Sequence, residues 1–298
     1  MLNNKEKLSL REIQMAMLEI LKQVHKICEE NQITYYIAYG TLLGAIRHKG
    51  FIPWDDDTDI WMPREDFERF KDIFLKNDYK IGNLKFCNRA NTEKYMFYLP
   101  RVSDTRYQYI MEKSHQQIGD MGVFIDIYPM DTVEAYDDIV KKTRKKIGNI
   151  NGLYRFYIDY KESSSWIKTI LKAPLHFMLR VIYGKNYPQR VDSRVEKHIA
   201  KIEKKDGKIL ALLGWEAENE LHYDASKCKE KILVEFEDTK VWAPKEYDYI
   251  LSYIYGDYMQ LPSEEARIPH HEYIIVKKQN CVLTGEKENS IIPHVQKK

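Results

Sequence analysis

The sequence predicts an α+β protein, a mixed β-sheet core with packed helices and a helical insertion. Three observations support this class. Amphipathic segments with the period of a helix are interspersed with short apolar runs typical of strands. A basic stretch over residues 141–205 has a helical pattern with weak breaks. The chain of 298 residues is long enough for one large domain with an appended segment.

The first predicted element is a helix from about Ser9 to Glu30. Ser9 can accept a hydrogen bond from the backbone of Glu12 while the Glu12 carboxylate bonds back to Ser9, which is the capping box that begins many helices. Its apolar residues recur at helical spacing: Ile13, Met17, Ile20, Val24 and Ile27. This pattern predicts one buried face.

A strand, a short helix and a second strand are predicted next, over residues 35–38, 42–46 and 57–62. Pro63 then begins another amphipathic helix, because proline is favoured in the first turn of a helix. The apolar residues of that helix are Phe67, Phe70, Ile73 and Phe74.

The pattern from residue 79 to residue 128 is mostly strand-like and includes predicted strands over residues 96–102 and 123–128. Near the C-terminus we predict a strand over residues 232–236 and a helix over residues 245–255. This order of elements fits a mixed sheet with helices packed on it.

Charge is distributed unevenly along the chain. Residues 141–205 contain 17 Lys and Arg against 5 Asp and Glu, a balance of +12, so with a net charge of +2 the remainder carries −10. This asymmetry predicts three parts: a core over residues 1–140, a basic helical insertion over residues 141–205, and a part over residues 206–298 that completes the core.

Cysteine usage and hydropathy indicate the compartment. The four cysteines are scattered singly, which argues against a structural zinc site and a disulfide scaffold. The N-terminal residues contain no apolar run typical of a signal peptide. No stretch approaches the roughly 20 apolar residues of a membrane-spanning helix. We therefore expect a cytoplasmic protein whose membrane contact is confined to the inner face of the cytoplasmic membrane.

The most distinctive segment covers residues 53–60, Pro-Trp-Asp-Asp-Asp-Thr-Asp-Ile. Carboxylates this close repel one another unless they are solvated, protonated or bound to a cation. In a strand, Asp57 and Asp59 face the same side, and Asp55 joins them if the strand begins that early. Mg²⁺ typically takes one or two carboxylates together with substrate phosphates, so this pair is a candidate metal–phosphate site.

The acidic segment has two other interpretations. A solvated turn after a proline is the commoner explanation of an isolated Asp-x-Asp. A calcium-binding loop needs a glycine at its sixth position and a glutamate at its twelfth. Counted from Asp55, those positions hold Ile60 and Asp66, which excludes the calcium loop.

Residues on either side of the acidic segment strengthen the metal interpretation. Gly40 and Thr41 lie where a strand passes into a helix, and backbone N–H groups there can hold phosphate oxygens. Asp126 lies inside an otherwise apolar strand, where an unpartnered carboxylate is costly. It is either a metal ligand or is held by backbone groups and an arginine, and the sequence leaves both open.

These segments together resemble the signature of the LicD family, whose distant relatives include fukutin and the fukutin-related protein. The likeness is carried by residues 39–60, Tyr-Gly-Thr-Leu-Leu-Gly-Ala-Ile-Arg-His-Lys-Gly-Phe-Ile-Pro-Trp-Asp-Asp-Asp-Thr-Asp-Ile, and by residues 124–129 and 255–262. It extends from about residue 10 to residue 271, and is loose over residues 140–205. The resemblance implies a nucleotidyltransferase-like fold.

The resemblance also implies the site residues. The superfamily pattern is a glycine followed by Gly, Ser or Thr, then an Asp-x-Asp, then a third acid on a neighbouring strand. Gly40 and Thr41 match the first element, Asp57 and Asp59 the second, and Asp126 the third. The three acids are therefore expected to be catalytic and to bind Mg²⁺ or Mn²⁺, with Gly40 and Thr41 at the substrate.

The activity that the resemblance implies is transfer of a phospho-alcohol from a CDP-activated donor, with phosphocholine from CDP-choline first. The acceptor is a hydroxyl of a surface glycan, such as a teichoic acid or lipopolysaccharide, or of its lipid-linked precursor, and CMP is released. Arg47 and Lys49 lie between the motifs and can reach phosphate oxygens, although solvated surface charge explains each equally well. His48 is expected to be structural, and Asp55 and Asp56 to shape the turn.

Two other functions remain open. A nucleotidyltransferase would use the same three acids to transfer a nucleoside monophosphate from a nucleoside triphosphate and release pyrophosphate. A scaffold without activity would bind nucleotide or anionic lipid through the basic segment. No nucleic-acid partner is expected.

The basic segment includes an amphipathic stretch over residues 166–183. Lys168 and Lys172 lie together on one helical face, and the large apolar residues occupy another. Such a helix either lies in the interface of an anionic membrane or packs on the core with its lysines in water.

Overall fold

The computed structural model of this protein describes residues 7–112, 116–159, 166–214, 221–269 and 271–278. The helices are α1 (Leu10–Glu30), α2 (Tyr39–His48), α3 (Arg64–Leu75), α4 (Asp138–Ile158), α5 (Trp166–Tyr183), α6 (Tyr187–Ile199) and α7 (Tyr247–Tyr255). The strands are β1 (Tyr36–Ile37), β2 (Asp59–Pro63), β3 (Lys80–Ile81), β4 (Leu84–Cys87), β5 (Arg101–Asp104), β6 (Tyr107–Met111), β7 (Val123–Val133), β8 (Ile209–Ala211), β9 (His222–Asp224), β10 (Lys231–Phe236), β11 (Thr239–Pro244) and β12 (Tyr273–Lys277).

The central sheet is mixed, in the strand order β1-β2-β7-β5-β4-β3. Strand β2 runs parallel to β7, and the other neighbours in this order are antiparallel. The far end of β7 pairs with β8, which pairs with β9. Two separate pairs, β10–β11 and β6–β12, complete the strands of the described chain. The predicted α+β class, with a mixed sheet and packed helices, is confirmed.

Strand β7 brings the site residues together. Ten of its eleven residues are buried, because the sheet continues on both sides of it. Its register places Asp126 opposite Asp59 of β2 and opposite Arg101 of β5. Two carboxylates and a guanidinium therefore lie in one row across three adjacent strands, at the edge where β2 begins.

Helix α1 packs its apolar stripe against the sheet and begins at the predicted capping box. The Ser9 N–H donates to the Glu12 carboxylate at 2.7 Å, and the Glu12 N–H donates to the Ser9 hydroxyl at 3.4 Å. Met17, Ile20 and Val24 are fully buried. The helix thus presents its inner face to the core from its first turn onward.

Two predicted strands begin at least two residues later than expected. The strand predicted over residues 57–62 begins at Asp59, where its parallel pairing with Asp126 of β7 starts. The strand predicted over residues 96–102 begins only at Arg101, where antiparallel pairing with Cys87 at the end of β4 starts. In both cases the start of pairing with the neighbouring strand decides where the strand begins.

Helices α4, α5 and α6 fall within the basic part of the chain and bury a small aromatic cluster of their own. Tyr154 and Tyr157 of α4 pack with Tyr187 and Val191 of α6 and with Leu179 of α5. The division of the chain into three parts stays a prediction. Across the part of the chain that the structure describes, no helix has the length and apolar character needed to cross a membrane.

Candidate active site

A cleft of about 720 Å³ opens between the start of α2, the loop that precedes β2, and the chain that follows α7. Its lining includes the residues Tyr39, Gly40, Leu43, Arg47, Ile52, Trp54, Asp55, Asp57, Asp59, Tyr255, Asp257, Tyr258, Gln260, Leu261, Pro262, Ser263 and Ala266. Gly40, Arg47, Asp57 and Asp59 are among the residues predicted from sequence. The volume lies in the range of sites that hold small organic ligands.

The acidic loop is held by backbone hydrogen bonds from distant side chains. The Gln14 amide of α1 donates to the carbonyl of Ile52 at 3.2 Å and to that of Asp55 at 2.9 Å. The Tyr273 hydroxyl donates to the carbonyl of Asp56. Because these bonds satisfy the loop backbone, the aspartate side chains are left to face the cleft and its rim.

Two residues at the start of α2 fit closely against this loop. A side chain on Gly40 would place its Cβ 2.6 Å from Asp55 Oδ2, so only glycine admits the carboxylate at this distance. The Thr41 hydroxyl is buried and accepts the Asp59 N–H at 2.9 Å, which ties α2 to the first residue of β2. The Thr41 hydroxyl thus supports the loop, and Thr41 is not among the cleft-lining residues; its contact with substrate stays a prediction.

Three of the carboxylates that line the cleft, those of Asp55, Asp57 and Asp59, are electrostatically crowded. Burial, and then the charge of Asp57, raise the pKa of Asp55 to about 8. Burial also raises the pKa of Asp57, and Asp126 adds to this while His271 opposes it. The pKa of Asp59 is held well above its usual range by complete burial and by Asp57. Deprotonated together, these groups would require a cation.

Asp59 has one oxygen without a partner. Its Oδ1 is buried and accepts no hydrogen bond in the described structure. The carboxylate does have a side-chain hydrogen bond with Tyr128. Buried carboxylate oxygens are nearly always satisfied, so an orphaned one indicates that a ligand belongs beside it. One carboxylate oxygen from each of Asp55, Asp56 and Asp57 lies within 4.8 Å of the others.

Asp56 is turned toward His271, which sequence analysis did not connect with it. His271 Nδ1 lies 2.9 Å from Asp56 Oδ1, and the His271 N–H donates to Oδ2 at 3.0 Å. The hydrogen bond to Asp56 raises the pKa of His271 despite its burial. His271 Nε2 lies 3.7 Å from Asp57 Oδ2, so this histidine closes the rim beside the acids.

Asp126 is held by an arginine, one of the two arrangements that the sequence left open. Arg101 Nε donates to Asp126 Oδ1 at 2.7 Å, and a longer contact of 3.4 Å joins Nη2 to Oδ2. Both side chains are more than nine-tenths buried. Phe97 and Phe124 cover the guanidinium at 4.0 and 3.8 Å. Asp126 adjoins Asp59 across the sheet but is not among the cleft-lining residues.

The two basic residues between the motifs differ in position. Arg47 lines the cleft, and its Nη1 donates to the carbonyls of Tyr258 at 2.8 Å and Gln260 at 3.2 Å, which fastens the chain after α7 over the acids. Lys49 is exposed in a left-handed conformation at the end of α2 and lies outside the cleft lining described above. Of these two residues, only Arg47 lines the same cleft as the carboxylates.

Aromatic side chains form much of the remaining wall. Tyr39, Trp54, Tyr255 and Tyr258 all line the cleft. Tyr39 has a backbone φ of 45°, a conformation that costs energy for a bulky residue and often occurs at functional sites. The sequence did not show which aromatic residues line the cleft, although residues 255–262 are one of the blocks that carry the resemblance.

Known proteins are similar to this chain in sequence. Residues 32–147 match the family described as LicD/FKTN/FKRP, nucleotidyltransferase domain. The chain is 30% identical over 267 residues to the lipopolysaccharide cholinephosphotransferase LicD of Haemophilus influenzae, covering 89% of this chain and 97% of that protein. It is also 30% identical over 152 residues to an uncharacterized protein of Rickettsia typhi, covering 49% of this chain and 48% of that protein.

Proposed function

Because the chain belongs to the LicD family and is a phosphotransferase of the LicD type, we propose that it transfers phosphocholine from CDP-choline to a glycan hydroxyl. The acceptor oxygen would attack the phosphorus that bears choline. The bond from that phosphorus to the bridging oxygen would break, and CMP would leave with the bridging oxygen. The acceptor is a surface glycan or its lipid-linked precursor, with lipopolysaccharide first, since the similar Haemophilus protein is named for it.

The observation that carries this proposal is the meeting of three carboxylates in one cleft of about 720 Å³. Asp55, Asp57 and Asp59 come from a loop and the first residue of a strand, and burial raises the pKa of each. A structural role would not need three such groups facing one open space. Raised pKa values from burial and like charge are typical of functional sites.

Mg²⁺ or Mn²⁺ fits this group of residues. The ligand set is all oxygen, as hard divalent cations require. The orphaned Asp59 Oδ1 and the crowded charge of Asp55 and Asp57 both favour a bound cation. We propose these three residues as the ones that would hold it, with Asp126 beside them and paired to Arg101. When bound, the ion would offset the negative charge of the donor pyrophosphate.

The chain's own residues would orient the donor. The first N–H groups of α2, at Gly40 and Thr41, have no acceptor within their helix, and Gly40 lines the cleft next to Asp55. Arg47, in the last turn of α2, adds a positive charge to the same lining. Phosphate oxygens placed between them would meet donors on both sides, which would fix the reacting phosphorus.

The aromatic wall favours choline among alcohols. A quaternary ammonium offers no hydrogen-bond donor and is held by aromatic faces. Trp54, Tyr255 and Tyr258 line the same cleft as the three acids. Asp257 is a further carboxylate in this lining.

The test is a donor screen with product analysis. The full chain is incubated with CDP-choline, CDP-ethanolamine, CDP-ribitol or CTP, each with a glycan acceptor, in Mg²⁺, in Mn²⁺ and in a chelator. We expect CMP release that needs the metal and is fastest with CDP-choline. The matched control for Asp59→Asn is Asp238→Asn, since Asp238 is an exposed carboxylate paired with Lys22.

The products decide between the candidate activities. CMP lost with Asp59→Asn and retained with Asp238→Asn supports the proposal. Pyrophosphate released from CTP, with no CMP from any CDP-alcohol, would assign a nucleotidyltransferase instead. Turnover that survives the chelator would remove the metal from the proposal.

A further inference from the structure

Helix α5 presents an uncovered apolar face. Its exposed large residues are Ile170, Leu175, Phe177, Met178, Val181 and Ile182. At 3.6 residues per turn these positions fall within about 160° of one another, on one side of the helix. Phe177, Val181 and Ile182 are 71%, 66% and 63% exposed. We call this set the α5 apolar face.

The opposite side of α5 is the one that packs on the protein. Leu179 is buried against the aromatic cluster of α4 and α6. His176 Nε2 lies 3.1 Å from the carbonyl of Tyr157, and the Arg180 guanidinium stacks over the Tyr157 ring at 4.7 Å. The orientation of the helix is therefore fixed by its inner side, and the α5 apolar face points away from the described structure.

Two exposed basic residues flank this face. Arg180 lies on the helix between the inner side and the apolar face, and Lys185 is exposed just after the helix ends. The segment over residues 141–205 has 17 Lys and Arg against 5 Asp and Glu. A helix with an exposed apolar side and basic flanks is the arrangement that lies in the interface of an anionic bilayer.

We infer that α5 docks the protein on an anionic lipid bilayer, with Phe177, Val181 and Ile182 entering the acyl-chain boundary and the basic flanks meeting the headgroups. A second copy of the chain fits less well. Two copies joined through this face would bring two strongly basic segments together, and like charges oppose such an interface. The bilayer supplies apolar contact and opposite charge at once.

The inference is tested by sedimenting the full chain with vesicles, without donor or acceptor, so that the outcome does not depend on the proposed reaction. Vesicles of phosphatidylcholine mixed with phosphatidylglycerol are compared with vesicles of phosphatidylcholine alone, at low and high salt. We expect binding to the anionic vesicles that weakens with salt, and a loss of about tenfold in partitioning for Val181→Asp combined with Phe177→Asp.

The matched control is Ile139→Asp. Ile139 is 63% exposed and lies at the start of α4, about 27 Å along that helix from Tyr157 at 1.5 Å per residue. It should keep parental binding, whereas Lys185→Glu should weaken binding at low salt. Circular dichroism and thermal unfolding confirm that each variant is folded.

Three results would overturn the inference. The parent chain could remain in the supernatant with anionic vesicles at low salt. The control could lose as much binding as the double variant. The chain could elute as a dimer that Phe177→Asp dissociates while vesicle binding is unaffected, which would assign the face to a second copy.

Discussion

Replacing Asp126 by asparagine tests whether this carboxylate serves chiefly as the counter-ion of Arg101. Asparagine keeps the shape of the side chain and removes its charge. The Arg101 side chain is 8% exposed and its Nε lies 2.7 Å from Asp126 Oδ1. Removing one partner of a buried ion pair costs about 3–5 kcal/mol, because the other charge is left uncompensated.

The structure favours the lower end of that range. Phe97 and Phe124 lie over the guanidinium within 4.0 Å and continue to stabilise its charge. We therefore expect Asp126→Asn to lower the free energy of unfolding by about 3 kcal/mol. That is a large part of the roughly 5–15 kcal/mol typical of folded proteins, so the variant should still fold.

Urea unfolding followed by tryptophan fluorescence measures this change. Asp238→Asn is the control, because its exposed pair with Lys22 should contribute nothing measurable. Adding Arg101→Met to Asp126→Asn should recover most of the lost stability, since the unpaired charge is then gone. If Asp126→Asn unfolds at the parental urea concentration while its Mg²⁺ affinity is lost, Asp126 is a metal ligand and not the counter-ion.

Three further predictions follow from the site and from α1. Asp59→Asn should abolish transfer and raise the melting temperature measured without metal, because one of the mutually repelling carboxylates is removed; parental turnover, or no gain in melting temperature, would contradict this. Gly40→Ala should reduce turnover at least about tenfold, because its Cβ would lie 2.6 Å from Asp55 Oδ2 and displace that carboxylate; the kinetics of Gly152→Ala, which meets nothing within 4 Å, are the comparison. Ser9→Ala should cost about 1 kcal/mol in urea unfolding through loss of the cap on α1, and no change would show that the capping box is dispensable.

Part of the site could be predicted from the spacing of residues close together in the sequence. Asp55, Asp57 and Asp59 lie within five residues, and their crowding signals a need for a cation wherever the chain places them. The strand register could not be predicted in this way. Asp57 precedes β2 instead of lying on it, because the parallel pairing of β2 with β7 starts at Asp59, opposite Asp126.

Other parts of the site depend on residues far apart in the chain. Arg101 meets Asp126 through the pairing of β5 with β7, and the contact between Asp56 and His271 spans 215 positions. The sequence around Arg101 and around His271 does not indicate which carboxylate each one contacts. The cleft wall contributed by Tyr255 and Tyr258 likewise depends on how α7 packs against α2.

By itself the sequence determined the α+β class, the capped first helix and the acidic segment, because each follows from residue spacing within one turn or one strand. The tertiary structure alone decided which carboxylates line the cleft, which one Arg101 holds, and which side of α5 stays uncovered. These depend on strand register and helix packing, which bring together residues that have no relation in sequence.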